Sequence, residues 1–144
     1  MKILSVVFLI CILSGCSKTD DKTKLVIYSP HGKEMLSEFE KQYEATHPNI
    51  DVQWLDMGSQ EVFDRIKTEK ENPLSDIWWG APATIFMRAE KLGLLEKYIP
   101  TWADKIPETS KSKNGFWFGT FLTPQVITFT DNTLTNQNAP KHWN

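Results

Sequence analysis

The sequence predicts an α/β domain built on a largely parallel sheet, and three observations predict it. Apolar runs of strand length alternate three times with amphipathic stretches of helical spacing. The first run, Leu25-Val26-Ile27-Tyr28, is continuously apolar, as a strand covered on both faces requires. Each junction from strand to helix carries a glycine, namely Gly32, Gly58 and Gly80. The 144 residues are 40% hydrophobic and 24% charged, an ordinary globular composition of about one domain's length. A net charge of −2 supplies no basic face, so nucleic acid is not expected as a partner.

The first residues read as a leader. Met1-Lys2 precedes a short apolar run, Ile3 to Leu13, which falls well below the roughly 20 residues needed to span a bilayer and suits the apolar region of a secretory signal. The run closes in Leu13-Ser14-Gly15-Cys16 and turns polar at once. That ending resembles the bacterial lipobox, in which the cysteine is acylated and becomes the new N-terminus. Residues 1–15 are therefore expected to be a lipoprotein signal peptide, 16–23 a lipidated Cys16 with a polar tether, and 24–144 the folded part. Cleavage removes Cys11 and leaves Cys16 alone, which excludes a disulfide or a cysteine metal site. The product is expected outside the cytoplasm, periplasmic or at the cell surface, held to the lipid bilayer by acylated Cys16. The simpler alternative is an anchor helix with an incidental cysteine.

After the first strand, Ser29-Pro30 reads as the N-cap and first position of a helix. Met35, Leu36, Phe39 and Tyr43 form its apolar stripe, and His47-Pro48-Asn49 ends it. Ile50, Val52 and Trp54 alternate with Asp51, Gln53 and Leu55, which predicts the second strand. The turn Asp56 to Gln60 leads into a helix with Val62, Phe63 and Ile66 on one side, broken by Asn72-Pro73, with Glu69, Lys70 and Glu71 as a solvated end. Asp76 to Trp79 is the third strand, followed by the loop Gly80-Ala81-Pro82 and a helix burying Ile85, Phe86, Ala89 and Leu92, with Gly93 as its left-handed stop. Leu94 to Glu108 is an irregular connection. Phe116 to Phe118 and Val126 to Phe129 are further strand candidates, and Asp131 to Asn144 is a polar stretch.

In parallel sheets, ligands bind where strand ends lead into helix starts, because free backbone N–H groups and the helix dipole favour an anion there. Ser29 to Gly32, Gly58 to Gln60 and Gly80 to Pro82 are three such loops. Turn chemistry alone also calls for glycine, serine and proline in each of them.

The segments Tyr28 to Gly32, Gly58 to Gln60, Pro73 to Gly80 and Ala89 to Leu95, in this order, resemble the family 1 extracellular solute-binding proteins of bacterial ABC transporters. The similarity is greatest to the branch holding ferric-iron, phosphonate, sugar-phosphate and thiamine binders, and it covers Leu25 to about Leu134. The resemblance implies a type II periplasmic-binding-protein fold, whose two α/β lobes close on a small-molecule solute and deliver it to an ABC permease in the inner membrane. It also implies that this chain supplies the first lobe, with the second missing. The family's ligand-contacting positions fall here on Ser29, His31, Gly32, Ser59, Gln60, Gly80 and Ala81. Ferric-ion members commonly add a carboxylate in the third loop, which here has none, so a phosphate- or phosphonate-bearing solute is favoured and iron is the alternative. No cofactor is expected.

The remaining candidates are weaker. Three scattered histidines, His31, His47 and His142, give no metal-ligand spacing. A Ser29/His31 pair across a proline forms no nucleophile elbow, so an enzyme is not expected. Trp78 and Trp79 point to opposite faces of a strand; one packs under a helix and the other can reach the ligand edge, with core packing the expected role of both. The rival to a transporter component is a truncated surface lipoprotein or gene remnant.

Overall fold

A computed structural model describes residues 22–124, 126, 135, 137, 138 and 141. The leader with Cys16, the expected strand beyond Val126 and most of the polar stretch lie outside the described residues.

Three parallel strands form the sheet: β1 (Thr23–Ser29), β2 (Ile50–Asp56) and β3 (Ile77–Trp78), in the order β2-β1-β3. The continuously apolar strand is thus the central one. Ile27 stands between Trp54 and Ile77, and Tyr28 between Leu55 and Trp78. Three helices follow the strands in turn: α1 (Lys33–Thr46), α2 (Ser59–Thr68) and α3 (Ala83–Lys91). The crossovers to β2 and to β3 run in opposite directions from the centre, and right-handed crossovers then place α1 on one face and α2 on the other. Side chains agree with this: Trp79 meets Phe39 of α1, whereas Trp78 lies 4.5 Å from Phe86, at a tilt, on α3, which packs against α2. The core comprises Ile27, Tyr28, Leu36, Val52, Val62, Phe63 and Ala89.

The α/β class and the alternation of elements match expectation, and so do the stops at His47 and at Gly93, whose φ is +62°. Several details differ. Ser29-Pro30 does not start α1: Ser29 is the last residue of β1, where its carbonyl accepts the Met57 N–H at 3.1 Å, and the chain turns instead at Gly32, the N-cap, with φ +78°. The end of α2 comes at Thr68, ahead of Asn72-Pro73, and Glu69 is not solvated. Its carboxylate accepts the Tyr28 hydroxyl at 3.0 Å and the Arg65 Nε–H at 2.7 Å, so a buried phenol draws it inward. Asp76 lies outside β3, but its carboxylate accepts the Val26 N–H at 2.8 Å, a side chain replacing one rung of the ladder. Leu92 is exposed, and of the α1 stripe only Leu36 is buried.

Phe116 to Phe118 forms no strand. A single antiparallel bridge joins Lys111 to Phe118 around a turn at Gly115, φ +82°. Two short 3-10 turns, Ala103–Lys105 and Glu108–Ser110, occupy the irregular connection. This segment is latched to α3 through Glu90, which accepts the Asn114 amide N–H and the Trp117 indole N–H, each at 3.0 Å. Among the described residues no helix is long and apolar enough to cross a membrane.

Candidate functional site

All three loops that sequence singles out open at the carboxyl edge of the sheet, and strand order sets their arrangement. The chain leaves β1 toward β2 and returns to the other side of β1 as β3, so the loops after β1 and β3 diverge to opposite faces. That divergence is the switch point at which open α/β sheets form a crevice. His31 and Gly80 meet there. Gly80 has φ +99°, and a Cβ on it would stand 2.8 Å from Cε1 and 2.9 Å from Cδ2 of His31, with Nε2 nearer still. Only glycine admits the imidazole at that distance.

Three helices begin at the carboxyl edge of the sheet without side-chain help. Neither Gly32, Gly58 nor Pro82, the N-caps of α1, α2 and α3, supplies a capping hydrogen bond. Apart from the Ile85 N–H, which donates to the Pro82 carbonyl at 2.9 Å, their first-turn N–H groups are left to solvent or to a ligand. Glu34 and Glu61 place a carboxylate in the first turn of α1 and α2, whereas α3 has no acid in its first turn and presents the least opposed positive end.

The candidate residues differ in availability. Ser29 is wholly buried, and its Oγ accepts the His31 backbone N–H at a long 3.4 Å, so it shapes the loop from beneath. His31 is half-buried, its Nε2 has no hydrogen-bond partner among the described residues, and burial lowers its pKa below 6.5. The ring is therefore neutral at neutral pH. Gly32, Gly80 and Ala81 are half-buried backbone positions. Ser59, the first residue of α2, makes no side-chain hydrogen bond among the described residues. Gln60 is already engaged: it donates to Asp64 Oδ1 at 3.1 Å and accepts from Arg88 Nη1 at 3.4 Å, tying α2 to α3. No hydrogen bond or ring contact joins Ser59 or Gln60 to His31.

Aromatic rings gather beside the crevice. The His31 ring lies 4.8 Å from Trp79 and 5.0 Å from Phe121, both edge-on, and Trp79 also meets Phe39 at 5.0 Å and Trp54 at 5.8 Å. Sequence reasoning expected both adjacent tryptophans to pack in the core; Trp79 packs among four rings beside the crevice. Phe121 carried no signal at all, because it stands in an irregular segment with no period to read.

The chain is 32% identical, across 119 residues, to a probable ABC transporter periplasmic-binding protein, y4fP, of Sinorhizobium fredii, a match covering 83% of this chain and 33% of that protein. Among solved structures, the periplasmic binding protein AfuA from Actinobacillus pleuropneumoniae, described with exogenous fructose-6-phosphate bound, superposes with a TM-score of 0.58 at 30% identity, over 64% of this chain and 30% of that one. By sequence and by fold, the chain belongs among the periplasmic binding proteins. Its three-stranded parallel sheet with flanking helices corresponds to part of their type II architecture. Iron-bound HitA from Pseudomonas aeruginosa shares that fold with a TM-score of 0.62 at 20% identity, over 67% of this chain and 31% of that one. The chain spans a third to two fifths of the length of the curated relatives it matches. No family model matches it.

Proposed function

We propose that this chain is the first lobe of an exported, lipid-anchored solute-binding component of an ABC importer, and that it captures a small phosphate- or phosphonate-bearing solute. The observation that carries the reading is that three helices begin without side-chain caps after the carboxyl ends of three parallel strands, with His31 and Gly80 in contact between β1 and β3. Backbone N–H groups at Gly32, at Ser59 and Gln60, and at Gly80 and Ala81 hold the anionic group, with the Ser59 hydroxyl as a further donor. Binding is non-covalent, and no group in the crevice is set up for turnover.

One feature favours a phosphate over ferric iron: Gly80-Ala81-Pro82 brings no carboxylate, whereas Fe³⁺ demands anionic oxygen ligands. The fructose-6-phosphate bound in the 30%-identical structure belongs to that protein, and it supports the same ligand class for this one. Acylated Cys16 ties the lobe to the membrane, and the residues that follow give it reach toward a permease.

The test is thermal unfolding of the full chain, without its leader, in the presence of glycerol 3-phosphate, inorganic phosphate or ferric citrate. Binding to the folded state raises the midpoint with ligand concentration. Stabilisation by glycerol 3-phosphate supports the reading; stabilisation by ferric citrate alone overturns it. For the anchor, loss of the detergent-phase fraction in Cys16→Ala is the expected result.

A further inference from the structure

We propose that Gly80 is a positioning residue that fixes the tautomer of His31: the imidazole carries its proton on Nδ1 and meets the solute as a hydrogen-bond donor, with no lone pair to give a metal ion. The donor role rests on the solute-binding reading, whereas the tautomer rests on the His31–Gly80 contact alone.

A neutral imidazole has one N–H and one lone pair, and the surroundings of one nitrogen decide the state of the other. The tip of the His31 ring is pressed against Gly80. A Cβ on Gly80 would fall nearest Nε2, then 2.8 Å from Cε1 and 2.9 Å from Cδ2, so the Cα–H that takes its place points at Nε2. Nε2 is enclosed there and has no hydrogen-bond partner among the described residues. A proton on it would be driven into that C–H and left as a buried donor without an acceptor, which is costly. A lone pair fits the same space, since a backbone Cα–H is a weak donor. Trp79 and Phe121 hold the ring edge-on at 4.8 and 5.0 Å, each at 65°, and so oppose a flip that would exchange its edges. Trp79 is itself fixed, its N–H donating to the Tyr28 carbonyl at 2.9 Å.

Nδ1 stands differently. It makes no hydrogen bond within the described residues and is not enclosed. Bonded to Cγ, it lies close to its own backbone, and hence to Gly32 and the uncapped start of α1. The Nδ1–H therefore joins backbone N–H groups that face an anionic oxygen. A metal ion needs the lone pair of an imidazole nitrogen. At Nδ1 that would move the proton onto Nε2, against Gly80, and at Nε2 Gly80 leaves an ion no room. Burial keeps the ring neutral, which suits a donor and a metal ligand alike, and it is Gly80 that separates the two roles.

The experiment records proton–nitrogen NMR spectra of the full chain, freed of its leader and isotope-labelled at histidine, at neutral pH, with His31 assigned from its loss in His31→Asn. The Nδ1–H pattern is expected for His31, with Nδ1 shifting on addition of glycerol 3-phosphate and neither nitrogen shifting with zinc ions. The Nε2–H pattern, or a zinc-induced shift at His31, overturns the proposal; thermal stabilisation by glycerol 3-phosphate would then still leave the anion reading standing. An Nδ1–H pattern with no response to glycerol 3-phosphate by NMR or by melting overturns the donor role and the anion reading together. By calorimetry, His31→Leu should weaken glycerol 3-phosphate about tenfold or more, the worth of one hydrogen bond to a charged group. His31→Asn, whose amide N–H can stand where Nδ1–H stood, should recover most of that loss, and equal losses in the two variants overturn the donor role. Gly80→Ala, if it folds, should return His31 to a mixture of tautomers, and an unchanged Nδ1–H pattern there overturns the assignment to Gly80.

Discussion

The imidazole of His31 occupies the space where any side chain on residue 80 would begin. Gly80 carries φ +99°, and a Cβ there would fall within 2.9 Å of three atoms of the His31 ring. The loops after the central and the third strand are thereby interlocked, and the crevice between them has a fixed floor.

Gly80→Ala is expected to destabilise the chain through both the positive φ, which costs about 1–2 kcal/mol for a residue with a Cβ, and the clash with His31. The two causes separate in a double-mutant cycle. Adding His31→Ala to Gly80→Ala should recover the clash but not the backbone strain, so the double mutant should be more stable than additivity predicts. Denaturant unfolding measures this, and strictly additive losses would show that the two residues do not touch in solution.

The same burial makes stability depend on pH. The folded pKa of His31 lies below its ordinary 6.5 because the charged form is desolvated. Above that ordinary value the ring is neutral whether the chain is folded or not, and the full stability is present. As pH falls toward the depressed folded pKa, the unfolded chain takes up the proton first and stability is lost. His31→Gln should flatten the decline of unfolding free energy between about pH 7 and pH 5. An unchanged slope would mean that the imidazole is solvated.

Glu90 governs a different part of the molecule. The Asn114 amide, with the Ser112 hydroxyl and the Trp117 indole, holds its carboxyl below the usual carboxylate range against the opposing effect of burial. This contribution is present above the ordinary carboxylate pKa and is lost as pH falls through the depressed folded value. Glu90→Ala leaves the Trp117 indole N–H without its acceptor and should cost about 1–2 kcal/mol. It should also speed protease cleavage between Leu94 and Gly119 and shift the fluorescence of Trp117. Unchanged cleavage would show that the segment is held by other contacts.

Tyr28 is the most buried large side chain, and its hydroxyl lies between Glu69 and Arg65, donating to Glu69 and accepting the Arg65 Nε–H at 3.1 Å. Tyr28→Phe keeps the ring in the core and leaves the Arg65–Glu69 pair at 2.7 Å to satisfy itself. Its expected cost is about 1 kcal/mol, the net worth of one hydrogen bond. A loss several times larger would mean that Glu69 depends on the phenol to stay folded inward.

Elements whose determinants are local were legible in the sequence. The central strand showed as an apolar run, the helices as stripes at helical spacing, and Gly93 as a stop, because each depends on neighbours within a few residues. The differences all trace to partners distant in sequence. Ser29 looks like a helix cap until the Met57 N–H from the neighbouring strand claims its carbonyl. Glu69 looks solvated until the Tyr28 hydroxyl reaches it across 41 residues. Phe116 to Phe118 has strand composition, but Trp117 is turned to Glu90, and among the described residues no strand lies beside it. In the candidate site, the glycines and His31 could be named from loop position. The aromatic cluster beside it could not, since it joins Phe39, Trp79 and Phe121 from three separate segments.

Ser59 offers the sharpest check on the site map. It opens α2 at the carboxyl edge of the sheet, half-buried, with a hydroxyl that has no partner among the described residues. Replacing it by phenylalanine should fill the space at that helix start while leaving the helix intact, because the N-cap is Gly58 and not Ser59. Ser59→Phe is therefore expected to fold with a melting temperature near that of the unmodified chain and to lose the rise in melting temperature that glycerol 3-phosphate produces. Glu71→Ala, exposed and beyond the far end of α2, should keep the full rise. If both variants respond to the phosphate like the unmodified chain, the anion does not sit at the α2 start. If both lose the response, binding depends on the overall charge or stability of the lobe and not on this loop.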